Sequence, residues 1–366
     1  MKLFTIHPGA SSSTHDVYSG VVRALERQGH TLVKFNLSQR ITQSGSWLRH
    51  CWKNARKSGI DVPRPNPADV LYHAHADVLL KALHHDCEWV LLFSAMYTPL
   101  HIIKILRKAG LKIALILTES PYNDSEQAAL MKHVDIAWTH ERASVDFLRV
   151  LNPNVYYLPH AYDEAIHSFR HPQEENIRAH DVVFVGTGFR ERVELLSGVD
   201  WSDIDFGLYG IWQHIGSKSK LRRYLISGEV PNEVTAGLYR NAKIGLNLFR
   251  RSRSFDRYSE RVERADSISL RTYELAACGC FFVSDPRPEL AEVFGDLIPT
   301  FESAEELEAL VRQYLADPGA RERISRLLPE AVKGHTWGER AHQIMNDLLT
   351  YERGRALGGA LTAAIS

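Results

Sequence analysis

Residues 266–285 read DSISLRTYELAACGCFFVSD. They set an acid, a serine-bearing helix start, an arginine and a second acid directly before a short apolar run suited to a buried strand. Ser267 and Ser269 are expected to cap a helix whose first turn runs through Arg271 and Glu274. Such a start leaves unpaired backbone N–H groups and a positive dipole end facing an anion. Arg271 and Glu274 are three apart and share a face. A carboxylate such as Glu274 can accept two hydrogen bonds from the vicinal hydroxyls of a ribose, while the helix start and arginines hold phosphates. The plainer alternative makes Ser269 a cap only, Arg271 and Glu274 a surface pair, and Ala276 and Ala277 a close-packed helix face.

Working outward, the second half of the chain alternates strands with helices: strand 182–186, helix 190–198, strand 204–208, helix 232–240, strand 243–248, helix 269–277 and strand 280–284. The first half opens in the same way. Residues 2–7 read as a strand, the loop PGASSSTH follows, residues 16–28 carry a helical apolar period that Gly29 ends, and TLVKFNL is the next strand. WVLLFSA (89–95), KIALILT (112–118) and VDIAWTH (134–140) are further apolar runs, separated by helices at 99–109 and 125–133. Continuous apolar strands between helices are the mark of a parallel sheet covered on both faces. The expected class is therefore α/β, with two doubly wound Rossmann-like domains facing a cleft.

A length of 366 residues agrees with two domains, and 44% hydrophobic with 24% charged residues is ordinary for a folded chain. The linker is expected near 160–178, giving an N-terminal domain over 1–165, a second over 166–334, and a closing helix and tail over 335–366. SAEELEALVRQYLADP (303–318) begins with the capping box Ser303 and Glu306 and continues as an amphipathic helix; 336–354 is another helix. A formal net charge of zero gives no global reason for a nucleic-acid or membrane partner. MKLFTIHPGA is too short and too interrupted for a signal peptide and no segment approaches a membrane span, so a cytoplasmic protein is expected. Cys51, Cys87, Cys278 and Cys280 are few and irregularly spaced, which suits free structural thiols. His73 and His75, or His84 and His85, have no second ligand cluster at metal spacing, so the sequence supplies no metal site and no cofactor.

At these motifs the chain resembles the group 1 glycosyltransferases of GT-B fold, nearest the branch of spore-maturation CgeB-like proteins. The resemblance is carried by YLPHAYD (157–163), DVVFVGTGFRERVELL (181–196), EVTAGLYRNAKIGLNLFR (233–250), SLRTYELAACGCFFVSD (269–285) and GHTWGERAHQI (334–344). It implies a hexosyl transfer from a nucleoside-diphosphate sugar, by family habit UDP, with the C-terminal domain holding the nucleotide and the N-terminal domain presenting an unidentified acceptor. It further implies Gly186 at the end of the first donor-domain strand, Arg192 facing the diphosphate with Arg190 beside it, Val230 where backbone reads the base, and Ser269, Leu270, Arg271 and Glu274 at the ribose and phosphates. Tyr209 either lines that pocket or belongs to the core. The separation of Asp266 from Glu274 matches the E-x7-E element of retaining members, with Asp in place of the first Glu. The last helix resembles the one that crosses back to the first domain, tying closure to donor binding.

The chemistry asks for stabilisation of a leaving diphosphate, which Arg192, Arg190 and a helix N-terminus can supply without a metal ion. With retention, which the acid spacing favours, the departing phosphate can take the acceptor proton. With inversion a base is needed, and His15, oriented by Asp16, is the candidate. Gly9, Asp16 and Glu119 are the acceptor-side candidates, Glu119 because it ends a strand on the side where open α/β sheets bind ligands. Asp16 can also serve only the helix dipole, and Glu119 only solvation. The segment FRRSRSFDRYSERVER (249–264) interleaves Arg250, Arg251, Arg253, Arg257, Arg261 and Arg264 with aromatics. It reads as a lid over the donor, a solvated loop or a nucleic-acid contact, so a nucleic-acid acceptor stays among the alternatives, as does a catalytically silent sugar-nucleotide module. The oligomeric state is not legible.

Overall fold

The computed structural model describes residues 1–8, 12–169, 177–253, 260–262 and 264–365, with residues 12, 13 and 358–365 described in backbone alone. The predicted site residue Gly9 and the centre of the arginine-rich segment, Arg257 included, lie outside the described residues. The chain divides into two compact units. One comprises Met1–His140, Ser144–Leu158 and Ala341–Ser366; the other comprises Glu141–Ala143 and Pro159–Arg340.

The first unit runs β1 (Lys2–Ile6), α1 (Ser12–Arg27), β2 (Thr31–Phe35), α2 (Leu37–Lys57), α3 (Pro67–Ala74), α4 (Val78–His84), β3 (Trp89–Phe93), α5 (Leu100–Lys108), β4 (Lys112–Leu117), α6 (Asp124–Met131), β5 (Ile136–Thr139), α7 (Val145–Arg149) and β6 (Val155–Tyr157). Its sheet has the order β2-β1-β3-β4-β5-β6, and every pairing is parallel. Trp89–Phe93 is buried at all five positions, as a central strand covered on both faces must be. Each such aliphatic or aromatic side chain stabilises the fold by about 1.5–3 kcal/mol. Phe4, Ile6, Val90, Leu92, Ile113 and Leu115 pack on one face with Ile103, Leu106 and Met131. The alternate residues Trp89 and Trp138 point the other way, where their indole N–H groups donate to Glu352 and Asp347 at 2.8 Å each.

The second unit runs β7 (Val182–Val185), α8 (Arg190–Ser197), β8 (Phe206–Tyr209), β9 (Leu225–Ser227), α9 (Asn232–Asn241), β10 (Ile244–Asn247), α10 (Leu270–Ala277), β11 (Phe282–Ser284), α11 (Pro288–Phe294), α12 (Ala304–Ala316) and α13 (Pro318–Val332). Its order is β11-β10-β7-β8-β9, again all parallel. Strand periodicity splits its core in two: Val183, Val185 and Phe282 join Tyr239, Tyr273 and Leu275 on one side, and Val182, Phe184 and Val283 join Leu307 and Val311 on the other. The last helix, α14 (Trp337–Ile365), starts in this unit and continues into the first. Two doubly wound α/β sheets are thus present, as expected.

Several local expectations give way. The stretch between β2 and β3 forms α2, α3 and α4, which the apolar pattern did not reveal because α2 buries only Leu37, Ser44 and Gly45. Its start is set by Asn36, whose side chain accepts from Gln39 N at 2.9 Å, and α3 by the capping box of Asn66 and Asp69. Helix α12 stops at Ala316, and Asp317 then caps α13 by accepting from Ala320 N. Ser303 accepts from Glu306 N as predicted, but the Glu306 carboxylate reaches Glu302 N, one residue short of a reciprocal box. Helix α14 passes 354 because its closing Ala and Leu residues are good helix formers.

Candidate functional site

The carboxyl ends of β7, β8, β10 and β11 bring most of the predicted donor residues together. After β7 the backbone passes against the loop after β8 with no room for a side chain. Gly210, at φ +112°, would place a Cβ 2.0 Å from Gly186 O, and a Cβ on Gly188 would meet the Trp212 ring at 2.4 Å. Gly186 N donates to Tyr209 O at 3.1 Å and Gly188 N to Ile211 O at 2.8 Å. The close passage thus rests on Gly210 and Gly188, while a Cβ on Gly186 itself would meet the Phe184 ring at 3.0 Å. Of the two readings of Tyr209, the structure takes the core: its ring is buried and its hydroxyl pairs with His180 Nε2 at 2.9 Å. His180 Nδ1 faces Asp205 Oδ1 at 3.2 Å, so Nδ1–H donates there and Nε2 accepts from the phenol.

Arg190 and Arg192 diverge, as residues two apart on a helix must. Arg190 forms an exposed i,i+4 pair with Glu194 at 2.6 Å. Arg192 turns inward over the strand ends, donating to Thr187 O at 2.8 Å and to Leu248 O. Its guanidinium lies 5.4 Å from the Phe184 ring centre and 5.3 Å from that of Phe189, whose ring also receives Arg250 at 4.8 Å. Glu191, between the two arginines, is a site residue the sequence did not single out. It accepts from Arg251 N at 2.8 Å, Ser252 N at 3.0 Å and Ser252 Oγ at 2.6 Å. Burial opposes its ionisation, but those hydrogen bonds prevail and hold its carboxyl below the usual range. Asp285, ending β11, accepts from Phe249 N at 2.8 Å and from Arg251 at 3.2 Å, while burial pushes its carboxyl up. The flanks of the arginine-rich segment pair with each other, Val262 N donating to Arg251 O and Arg253 N to Glu260 O.

Helix α10 starts differently from expectation. Ser269 is the residue before its first turn, yet its hydroxyl makes no cap hydrogen bond. It donates instead to Asn247 Oδ1 at 3.4 Å and meets Thr272 Oγ1 at 3.2 Å. Ser267 Oγ accepts from Arg142 N at 3.0 Å. Acids from elsewhere in the chain organise this turn: Glu289 accepts from Ile268 N at 2.6 Å, and buried Glu141 accepts from Asp266 N at 3.0 Å and Ser267 N at 3.2 Å. Leu270 opens the helix and is buried. Val230, just before α9, packs against the core.

Arg271 and Glu274 do meet. Arg271 binds Glu274 Oε2 and donates to Asn232 Oδ1 at 2.9 Å, and Asn232 Nδ2 donates to Glu274 Oε1 at 3.2 Å. His167 Nε2 stands 3.5 Å from the same Oε1. Glu274 is 1% exposed on its side chain and Arg271 29%. Asp266 stands apart from this group, its carboxylate held by Arg264 at 2.7 Å. Strand β10 links the two halves of the site: Leu248 O takes Arg192, and its neighbour Asn247 takes Ser269 and Thr272.

In the first unit, His15 is oriented by a residue other than Asp16. Its Nδ1 lies 2.8 Å from His7 Nε2 and its Nε2 3.3 Å from Ser19 Oγ. Adjacent helical residues diverge by about 100°, which takes the Asp16 carboxylate off that line. Burial, reinforced by neighbouring His15, pushes His7 down to about 4. Thr14 Oγ1 meets Thr118 Oγ1 at 3.3 Å, fastening the start of α1 to the end of β4, where Glu119 follows.

Residues 190–346 match the family described as glycosyl transferase-like. The chain has the GT-B fold, with a glycosyl transferase-like domain over residues 190–346. Solved structures similar to this chain include a sucrose-phosphate synthase from Thermosynechococcus elongatus, 12% identical, covering 98% of this chain and 100% of that one with a TM-score of 0.65. Anabaena HepE in complex with UDP-glucose is 10% identical, with 96% and 100% covered and a TM-score of 0.63. An α-glucosyltransferase in complex with UDP and a 13-mer DNA containing an HMU base is 12% identical, with 96% and 99% covered and a TM-score of 0.61. At these identities the likeness is one of fold. None of the curated proteins matches the chain in sequence. Among its described residues no helix is long and apolar enough to cross a membrane.

Proposed function

We propose that this glycosyltransferase, a member of the CgeB-like branch, moves a hexosyl unit from a UDP-sugar to an acceptor hydroxyl, with its own cationic groups stabilising the diphosphate. The donor is assigned to residues 166–334, the acceptor to residues 1–165, and the crossing helix to 335–366. The supporting observation is the end of β10, which carries Arg192 on Leu248 O and the start of α10 on Asn247. One cation from α8 and the start of α10, which carries the Arg271–Glu274 pair, are thereby tied to adjoining residues at the end of one strand. UDP is the nucleotide present in two of the similar structures.

In the reaction the bond from the anomeric carbon to the diphosphate oxygen breaks, the leaving group gains negative charge, and Arg192 offsets it. Fixed donors of this kind contribute a hundredfold to a thousandfold in rate. Retention is the reading supported by Asp266 and Glu274; the departing phosphate then takes the acceptor proton and His15 orients the acceptor hydroxyl. Nucleic acid as acceptor draws support from the DNA bound by one similar structure. Against it, Arg250 donates to Ser252 O within the segment and Arg251 pairs with Asp285 at the end of β11, so both have partners in the protein.

A thermal-shift screen against UDP-, GDP-, ADP- and dTDP-sugars tests the donor. Only UDP-sugars are expected to raise the melting temperature, because a ligand that prefers the folded state stabilises it. A shift by none of the four overturns the donor assignment, and slow hydrolysis of the effective donor distinguishes an enzyme from a silent module.

A further inference from the structure

His167 sits four residues past Asp163, in a segment to which no role has yet been given, and both its ring and Glu274 are all but fully buried. Its Nδ1 lies 3.3 Å from Asp163 N and 3.2 Å from Asp163 O. Its Nε2 has no closed hydrogen bond and points at Glu274 Oε1 from 3.5 Å. Only one neutral tautomer suits both ends. With the proton on Nε2, the ring accepts from Asp163 N–H and aims its own N–H at the carboxylate. The other tautomer would set a lone pair against an anion. Burial pushes the imidazole pKa down, which keeps the ring neutral.

Glu274 therefore has two unlike oxygens. Oε1 faces Asn232 Nδ2 and His167 Nε2, both on buried or half-buried groups. Oε2 faces Arg271, whose side chain is the partly exposed member of the group. An incoming hydroxyl can approach Oε2 from the side of the partly exposed Arg271, whereas Oε1 is enclosed by His167 and Asn232.

We propose that His167, seated by Asp163, is a positioning residue that fixes Glu274 by its Oε1 so that Oε2 is presented to the donor's ribose. The proposal rests on the ribose reading of Glu274 given above.

Affinities for UDP, 2′-deoxy-UDP and 3′-deoxy-UDP test it in the full chain. The wild-type protein is expected to prefer UDP by roughly tenfold, the value of one hydrogen bond to a charged group. His167→Asn keeps an amide where Nδ1 meets Asp163 but cannot reach Glu274; it should erase that preference while leaving deoxy-UDP affinity unchanged. His167→Gln places a donor near the old Nε2 position and should restore it. If His167→Asn retains the preference, or weakens all three nucleotides equally, the positioning role is overturned and the ribose assignment stands. If the wild-type protein shows no preference, the ribose assignment itself fails. Should His167→Asn not fold, Asn232→Ala removes the second Oε1 partner and is read by the same ratio, an unchanged preference overturning the fixed-oxygen account.

Discussion

The two sheets end in different chemistry. At the first, the imidazoles and hydroxyls of His7, His15, Tyr18, Thr14 and Thr118 gather around the ends of β1 and β4. At the second, Arg192, Glu191, Arg251, Asp285, Arg271 and Glu274 are tied into one another and into backbone carbonyls and amides. A preset lattice of charge suits a ligand that is always anionic, since no reorganisation is needed when it arrives. A set of imidazoles and hydroxyls suits an uncharged hydroxyl whose proton must be oriented or removed. Both ends belong to parallel sheets, so the distinction arises from the loops and not from the architecture.

The sharpest way to break this contrast is Arg192→Ala, expected to lower kcat/KM a hundredfold to a thousandfold in donor hydrolysis assays. If Arg192 serves only to lace Thr187 to Leu248, the melting temperature will fall and the surviving folded enzyme will keep its rate. His15→Ala is next, with a loss on the order of a hundredfold in transfer but little in UDP affinity, measured by calorimetry. Glu274→Gln should weaken UDP about tenfold and leave His15-dependent steps untouched. Smaller still is the response to acid. His7 and His335, each held at about 4 chiefly by burial, take up protons in the unfolded chain near pH 6.5 but in the folded chain only near 4. Stability is therefore complete above about pH 6.5 and declines as pH falls toward 4. His7→Gln and His335→Gln should each flatten that decline in chemical denaturation series. The least effect belongs to Arg190→Ala, under about 0.5 kcal/mol in stability and none in donor affinity, because its partner is the exposed Glu194. A large loss there would erase the distinction between the two arginines.

The sheets were legible because strands buried on both faces print as unbroken apolar runs, WVLLF and KIALIL above all. Helix α2 was not, since its buried side holds small and polar residues where Gly45 packs near Val70. In the site, the pairing of Arg271 with Glu274 followed from helical spacing. Glu141, Glu191, His167 and Asn232 did not, because each acts on a residue far along the chain and helix or strand periodicity carries no information about such partners. The offset from His167 to Asp163 was the one local trace. His7 is a similar case: the eye falls on Asp16 beside His15, but a helix turns neighbours apart and brings the end of a strand to the ring instead.

The return of α14 to the first unit has a consequence for how the protein is made. A nascent chain that has reached Arg340 already contains all of the second unit, yet the first, though synthesised earlier, still lacks Asp347, Tyr351 and Glu352. Until those arrive, the indoles of Trp89 and Trp138 are without their acidic partners, and Lys112 has Glu88 but not Glu352. Maturation of the amino-terminal lobe therefore waits on the ribosome finishing its last turns, and early termination there would injure the part of the protein translated first.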